Sequence, residues 1–217
     1  MSDIIARIKN LMDLAGNNTS EEEAANAMTL ARKLMLKHNL SENDLAESEN
    51  RNFASFGELK SFDKDYIRIL FKAVGEMTST SFVMYNNDSY KIVGRPINQA
   101  VADELLAWLI VQVEKLYKIH LPKGMSKQER AKYRKDFKRL CSFRIFQRAN
   151  ELVSVSNSSD GTALIVLENQ LVAEVKELFK EQGIGAKKSR IKLDRSSRGG
   201  REGYNAGAGA ALHREVT

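Results

Sequence analysis

The chain has 217 residues, 42% of them apolar and 29% charged, and carries a net charge of +6. That is enough apolar sequence for a core, and enough length for one larger domain or two small ones. One cysteine, Cys141, excludes an internal disulfide framework and a cysteine-rich zinc site, and no run approaches the roughly 20 apolar residues of a membrane span.

Charges at Asp3, Arg7, Lys9 and Asp13 interrupt the opening apolar run, so no secretory leader is read there and a cytoplasmic protein without a membrane partner is expected. Ile4, Ile5, Ile8, Leu11, Met12 and Ala15 fall on one helical stripe that stops at Gly16. Thr19 and Ser20 each stand three residues before a glutamate, which predicts a capped second helix. Its buried stripe is Ala24, Ala27, Met28, Ala31, Leu34 and Met35. Residues 1–48 thus read as a helical hairpin domain, and 49–62, which lack a period, as a linker.

Residues 63–217 read as a larger, mainly helical domain, so the expected class is α+β, mainly helical, with a small sheet. A helix is predicted over Asp63–Thr78. "SFVMYNNDSYKIVGR" is a hairpin, with Asn86, Asn87 and Asp88 at its turn. A long helix follows over Ile97–His120 and is broken by Pro122 and Gly124. Ser126 and Glu129 form a capping box that opens another. "TALIVL" reads as a buried strand, Glu168–Gln182 as a helix and "KSRIKL" as a short strand.

The charge is unevenly placed. Residues 115–148 hold twelve Lys/Arg against Glu129 and Asp136, and residues 187–201 hold seven against Asp194. Two basic blocks behind an acidic front point to a polyanion. Lys127, Arg130, Arg134 and Lys138, with Lys132, Lys135 and Arg139, recur at three- or four-residue intervals and can follow a phosphate backbone. Arg144, Lys187, Lys188, Arg190, Arg195, Arg198 and Arg201 complete the candidate surface. Tyr133 and Phe143 are either stacking platforms for bases or core residues. No helix-turn-helix, zinc-finger or RNP pattern is present, so backbone recognition rather than base reading is expected.

The glycines of "RSSRGGREGYNAGAGAAL" match no phosphate loop. No GxxxxGK[ST] occurs, and GxGxxG fails at Leu212. Gly199, Gly203, Gly207 and Ala211 instead recur every four residues, which puts a face without side chains on one side of a helix. Such a face packs inside the chain or between copies, so a homo-oligomer stays open. His38, His120 and His213 are isolated, Ser158 and Ser159 lie in no GxSxG elbow, and Cys141 reads as a buried thiol. No metal, cofactor or catalytic residue is expected, and the protein is read as a non-enzyme.

"IARIKNLMDLA…TSEEEAANAMTLARKLMLKHNLSENDL", from Ile4 to Leu45, resembles the small N-terminal domain of an uncharacterised family of tailed phages and bacteria. The rest is similar to the companion domain of that family, through Ile92–Arg95, Ser142–Arg144 and the closing Gly203, Tyr204, Ala206, Gly207, Gly209 and Ala210. Asn39 stands where that family has a glycine, and asparagine also tolerates the left-handed stop. The resemblance implies two domains and a phage or prophage origin, and it brings no catalytic residues. The function expected is a nucleic-acid-binding accessory protein. The alternative is a phage protein that binds and inhibits a host defence protein through Glu21, Glu22 and Glu23.

Overall fold

A computed structural model describes residues 7–8, 10–11, 26–27, 29–37, 54–62, 65–85, 87–159, 162–185 and 191–210, with residues 155–168 described by backbone alone. The protein is mainly helical α+β. Its strands are β1 (Ser55–Phe56), β2 (Lys60–Ser61), β3 (Ser81–Met84) and β4 (Ser89–Gly94). Residues 7–8, 10–11, 26–27 and 29–37 are helical, and the helices that follow are α1 (Ile67–Thr78), α2 (Pro96–His120), α3 (Lys127–Ser159), α4 (Thr162–Glu181) and α5 (Arg198–Ala208).

The predicted hairpin is present, with β3 antiparallel to β4 from Ser81 opposite Val93 to Met84 opposite Tyr90. The segment read as a linker adds two short strands, β1 opposite Val93 and Gly94 and β2 opposite Tyr90 and Ser89. They follow one another along the free edge of β4, and Gly57 between them donates its amide to the Ile92 carbonyl at 2.8 Å. A Cβ on Gly57 would lie 2.7 Å from the Gln99 side chain. These strands are two residues each, too short to show the alternation by which a strand is read from sequence. The sheet packs through Phe62, Phe71, Phe82 and Tyr90, with the Phe71 and Phe82 rings stacked 4.5 Å apart.

α1 ends at Ser79 in the left-handed conformation (φ 52°), and the Thr80 amide donates to the Gly75 carbonyl. α2 begins on Pro96, whose missing N–H costs nothing at a helix start. Leu70, Ala73 and Val74 of α1 pack with Leu105, Leu106, Leu109 and Val113 of α2. Ile8, Ala27, Ala31 and Met35 belong to the same buried cluster. Thr19, Ser20 and Glu21 to Glu23, the predicted cap, lie outside the described residues.

The capping box at the start of α3 is formed: the Ser126 amide donates to Glu129 Oε2 at 2.9 Å, and the Glu129 amide to Ser126 Oγ at 3.3 Å. Those bonds hold the Glu129 carboxyl below the usual range. α3 runs 33 residues, about 50 Å. "TALIVL" is the first part of α4 rather than a strand. Its apolar run continues into Leu171 and Val175, both buried at helical spacing, and helix length overrides β-branching. Arg95 clamps α4 to the sheet: its Nε and a terminal nitrogen donate to the two Glu174 carboxylate oxygens at 3.1 and 2.6 Å. Residues 191–194 have no regular structure, so the strand expected in "KSRIKL" is absent there, and 186–190 lie outside the described residues. No helix among the described residues is long and apolar enough to cross a membrane.

Candidate nucleic-acid interface

The basic surface is organised by a seam between α3 and α5. α5 carries Gly199, Gly200, Gly203 and Gly207, and isolated helices lose about 1 kcal/mol for each glycine relative to alanine. Docking offsets that cost. A Cβ on Gly199 would lie 2.7 Å from the Tyr133 carbonyl oxygen, and one on Gly207 2.6 Å from that of Cys141. Midway, a Cβ on Gly203 would lie 2.7 Å from the Phe137 Cα and closer still to its carbonyl. Two rows of four-residue spacing, 133/137/141 and 199/203/207, therefore meet backbone to backbone. The glycine stretch is a packing helix, and its bare face is used within the chain.

Polar bonds close both ends of the seam. The Tyr133 hydroxyl lies 2.8 Å from the His120 carbonyl and 2.5 Å from Glu202 Oε2, and Glu202 also accepts from Arg198 Nε at 2.8 Å. Arg198 first, and then Tyr133, hold the Glu202 carboxyl below the usual range. Burial, reinforced by Glu202, raises the Tyr133 phenol. At the other end, Arg148 of α3 donates to the Ala210 carbonyl, a cation at a helix C-terminus. Asp194 Oδ1 accepts from the Ser196 hydroxyl (2.6 Å) and from the Ser196 and Ser197 amides, and Ser197 Oγ caps Gly200 at 3.0 Å. The Ser196 hydroxyl, those amides and the charge of Lys132 hold Asp194 below the usual carboxylate range.

Tyr133 is therefore a core residue, 4% exposed, and cannot serve as a stacking platform. Cys141 is fully buried, and burial pushes its thiol up to about 12. It is expected to stay unmodified by a thiol reagent at neutral pH in the native protein and to react fully on unfolding. Rapid labelling of the native protein would contradict the seam.

The predicted cations divide into two groups. Lys127, Arg130, Lys132, Arg134 and Lys135 are exposed on α3. Arg195, Arg198 and Arg201 are exposed at the entrance to α5, which the seam sets beside Tyr133, with Arg198 bonded to Glu202 and Arg201 donating to the Ser196 carbonyl. Among the described residues no carboxylate is ion-paired with Lys127, Arg130, Arg134 or Lys135. The exposed α3 cations and Arg195, Arg198 and Arg201 are thus set beside one another along the seam, and this surface is the ridge. Lys187, Lys188 and Arg190 lie outside the described residues.

The remaining cations are used internally. Lys138 is buried: its Nζ lies 2.5 Å from Glu114 Oε2 and 4.7 Å from the centre of the Tyr117 ring. It is an interior cation rather than a phosphate contact, because its row turns inward toward α2 as α3 enters the core. Arg139 donates to Asp65 and, at 3.1 Å, to the Lys192 carbonyl, pinning residue 192 to α3. Arg144 pairs with Glu151 at 2.9 Å and lies over Tyr204.

Beyond the ridge lies a groove that the sequence reading missed, because α1, β3, α3 and residues 191–193 each supply part of it. Phe143 and Phe146 are on its α3 side, and Arg68, Lys72 and Lys192 also line it. Arg195 lies over the Phe143 ring, 5.3 Å from its centre, and so stands between groove and ridge.

The family described as a protein of unknown function (DUF2786) matches residues 3–42, less than a fifth of the chain. The match supports a domain of uncharacterised function in that segment. No curated protein matches the chain, and neither does any solved structure.

Proposed function

We propose that the protein is a non-enzymatic nucleic-acid-binding accessory protein, phage- or prophage-encoded, that grips the phosphate backbone through the ridge of α3 and the entrance to α5. The carrying observation is that the glycine seam brings the α3 cations beside Arg195, Arg198 and Arg201, far away in sequence, and that among the described residues four of the α3 cations have no carboxylate partner. Unpaired cations in a row favour a polyanion because each phosphate contact releases condensed counterions. The likeness of Ile4–Leu45 and of the closing glycines to a phage and bacterial family supports the origin. Glu21, Glu22 and Glu23, on which inhibition of a host protein would depend, lie outside the described residues.

The test is fluorescence anisotropy over a salt series with duplex DNA, single-stranded DNA and RNA. Steep salt dependence is expected. Arg130→Glu, Arg134→Glu and Lys135→Glu together should weaken binding on the order of 100-fold at low salt and flatten the slope of log K against log salt by about two. Because these side chains are exposed, the melting temperature should stay nearly unchanged. Unaltered binding by this variant would remove the ridge assignment. No binding at low salt by the unaltered protein would leave a host protein as the target.

A further inference from the structure

The groove beside the ridge has a chemistry that the ridge lacks. Its floor is apolar and aromatic, with Met84 of β3 and Leu193 completing the surface begun by Phe143 and Phe146. Its cations are Lys72, Lys192 and Arg68, and among the described residues no carboxylate lines it. The cavity measures about 510 Å³, within the roughly 300–1,000 Å³ typical of sites for organic ligands. Arg68 is tied to Asp88 at 2.9 Å, yet its buried Nε–H donates to nothing among the described residues.

An apolar floor with Lys72 and Lys192 on its rim complements a ligand that has a flat, weakly polar body and negative charge beside it. An unpaired nucleotide has that form. In a duplex the bases are stacked and paired inside, and only the backbone meets a basic ridge. In a single strand each base offers its face to aromatic and guanidinium planes, while the phosphates follow the cations. Phe143 is half-buried with Arg195 across it, which makes the pair a stacking platform at the boundary of ridge and groove.

We propose that this groove receives an unpaired base of a single-stranded nucleic acid, with the Phe143–Arg195 pair as the stacking platform and Lys72 and Lys192 on the flanking phosphates. The inference rests on the ridge being a phosphate-binding surface. It adds the state of the polymer, single rather than double, and a sequence-tolerant contact to the bases.

The experiment compares a labelled oligothymidylate with an abasic strand of the same length, in the full chain and in Phe143→Leu, which keeps an apolar side chain but removes the ring. The base-bearing strand should bind about tenfold tighter than the abasic one, and Phe143→Leu should remove that difference without changing the affinity for the abasic strand. Independently of any variant, a strand carrying 5-bromouracil should crosslink on irradiation to Phe143 or to residues 191–193. Equal affinities for the two strands, with crosslinks mapping elsewhere, would overturn the groove proposal while leaving the ridge standing. An acidic peptide with apolar side chains would then be the better occupant. Failure of both strands to bind at low salt would overturn ridge and groove together.

Discussion

Replacing Gly203 by alanine is expected to destabilise the protein by about 3 kcal/mol, although alanine is the better helix former. Helix propensity alone predicts a gain of about 1 kcal/mol, so the sign of the change decides between a solvated helix and a seam. A Cβ at residue 203 would press on the Phe137 carbonyl and lie 2.7 Å from the Phe137 Cα, both of them backbone atoms inside a long helix. Neither can rotate away, so α5 must lift. In a chain of this size the loss corresponds to a drop of roughly 6–12 °C in melting temperature. Gly209→Ala is the control. It lies at the end of α5 with φ −92°, and the nearest atom to an added Cβ is 4.0 Å away. That variant should melt within a degree or two of the parent. If Gly203→Ala is as stable as the parent, the close approach of α3 and α5 is wrong. A larger residue at 203 should undock α5 and make Cys141, the partner of Gly207, accessible to thiol reagents.

Lys138→Ala is expected to cost about 3 kcal/mol or more, unlike any single change on the ridge. Lys138 and Glu114 have side chains only 8% and 26% exposed, and the Tyr66 hydroxyl also donates to Glu114, at 2.7 Å. Removing the lysine takes its cation from a partly buried carboxylate, which is the expensive way to break an ion pair. Replacing both partners, as in Lys138→Met with Glu114→Leu, should recover more than half of the loss, because no charge is then stranded. Chemical denaturation of the two single variants and the double variant measures the coupling directly. An additive cycle would show that the pair is not an interacting unit. In the variants that remain folded, the salt slope of nucleic-acid binding should match that of the parent, which separates an interior cation from Arg130 or Arg134.

This division among the cations marks the limit of what could be read from the sequence. The row 127, 130, 134, 138 was legible as a face, but which end of it meets water depends on Glu114 and Tyr117 of α2. Local signals were reliable where the physics is local. The capping box of Ser126 and Glu129, the hairpin turn and the four-residue glycine spacing each involve neighbours along one element. "TALIVL" was misread because a short β-branched run looks alike in a buried strand and in a buried helix. The difference came from Leu171 and Val175 further on, and from Arg95 clamping Glu174. The groove was invisible for another reason. Its chemistry is ordinary in each segment and becomes a site only when Lys72, Phe143 and Lys192 are brought together.

The seam also bears on how the protein opens. α5 has four glycines in eleven residues and little apolar surface of its own, so as a helix it exists only while it lies on α3. Tyr133 and Glu202, bonded across the seam, are 69 positions apart in the chain. Losing α5 and baring the face of Phe137 and Cys141 are accordingly one event, and the two helices open as a single cooperative unit rather than fraying separately. A polyanion that spans Arg130 and Arg201 would hold that unit shut from outside, so occupancy of the surface and integrity of the core would rise together.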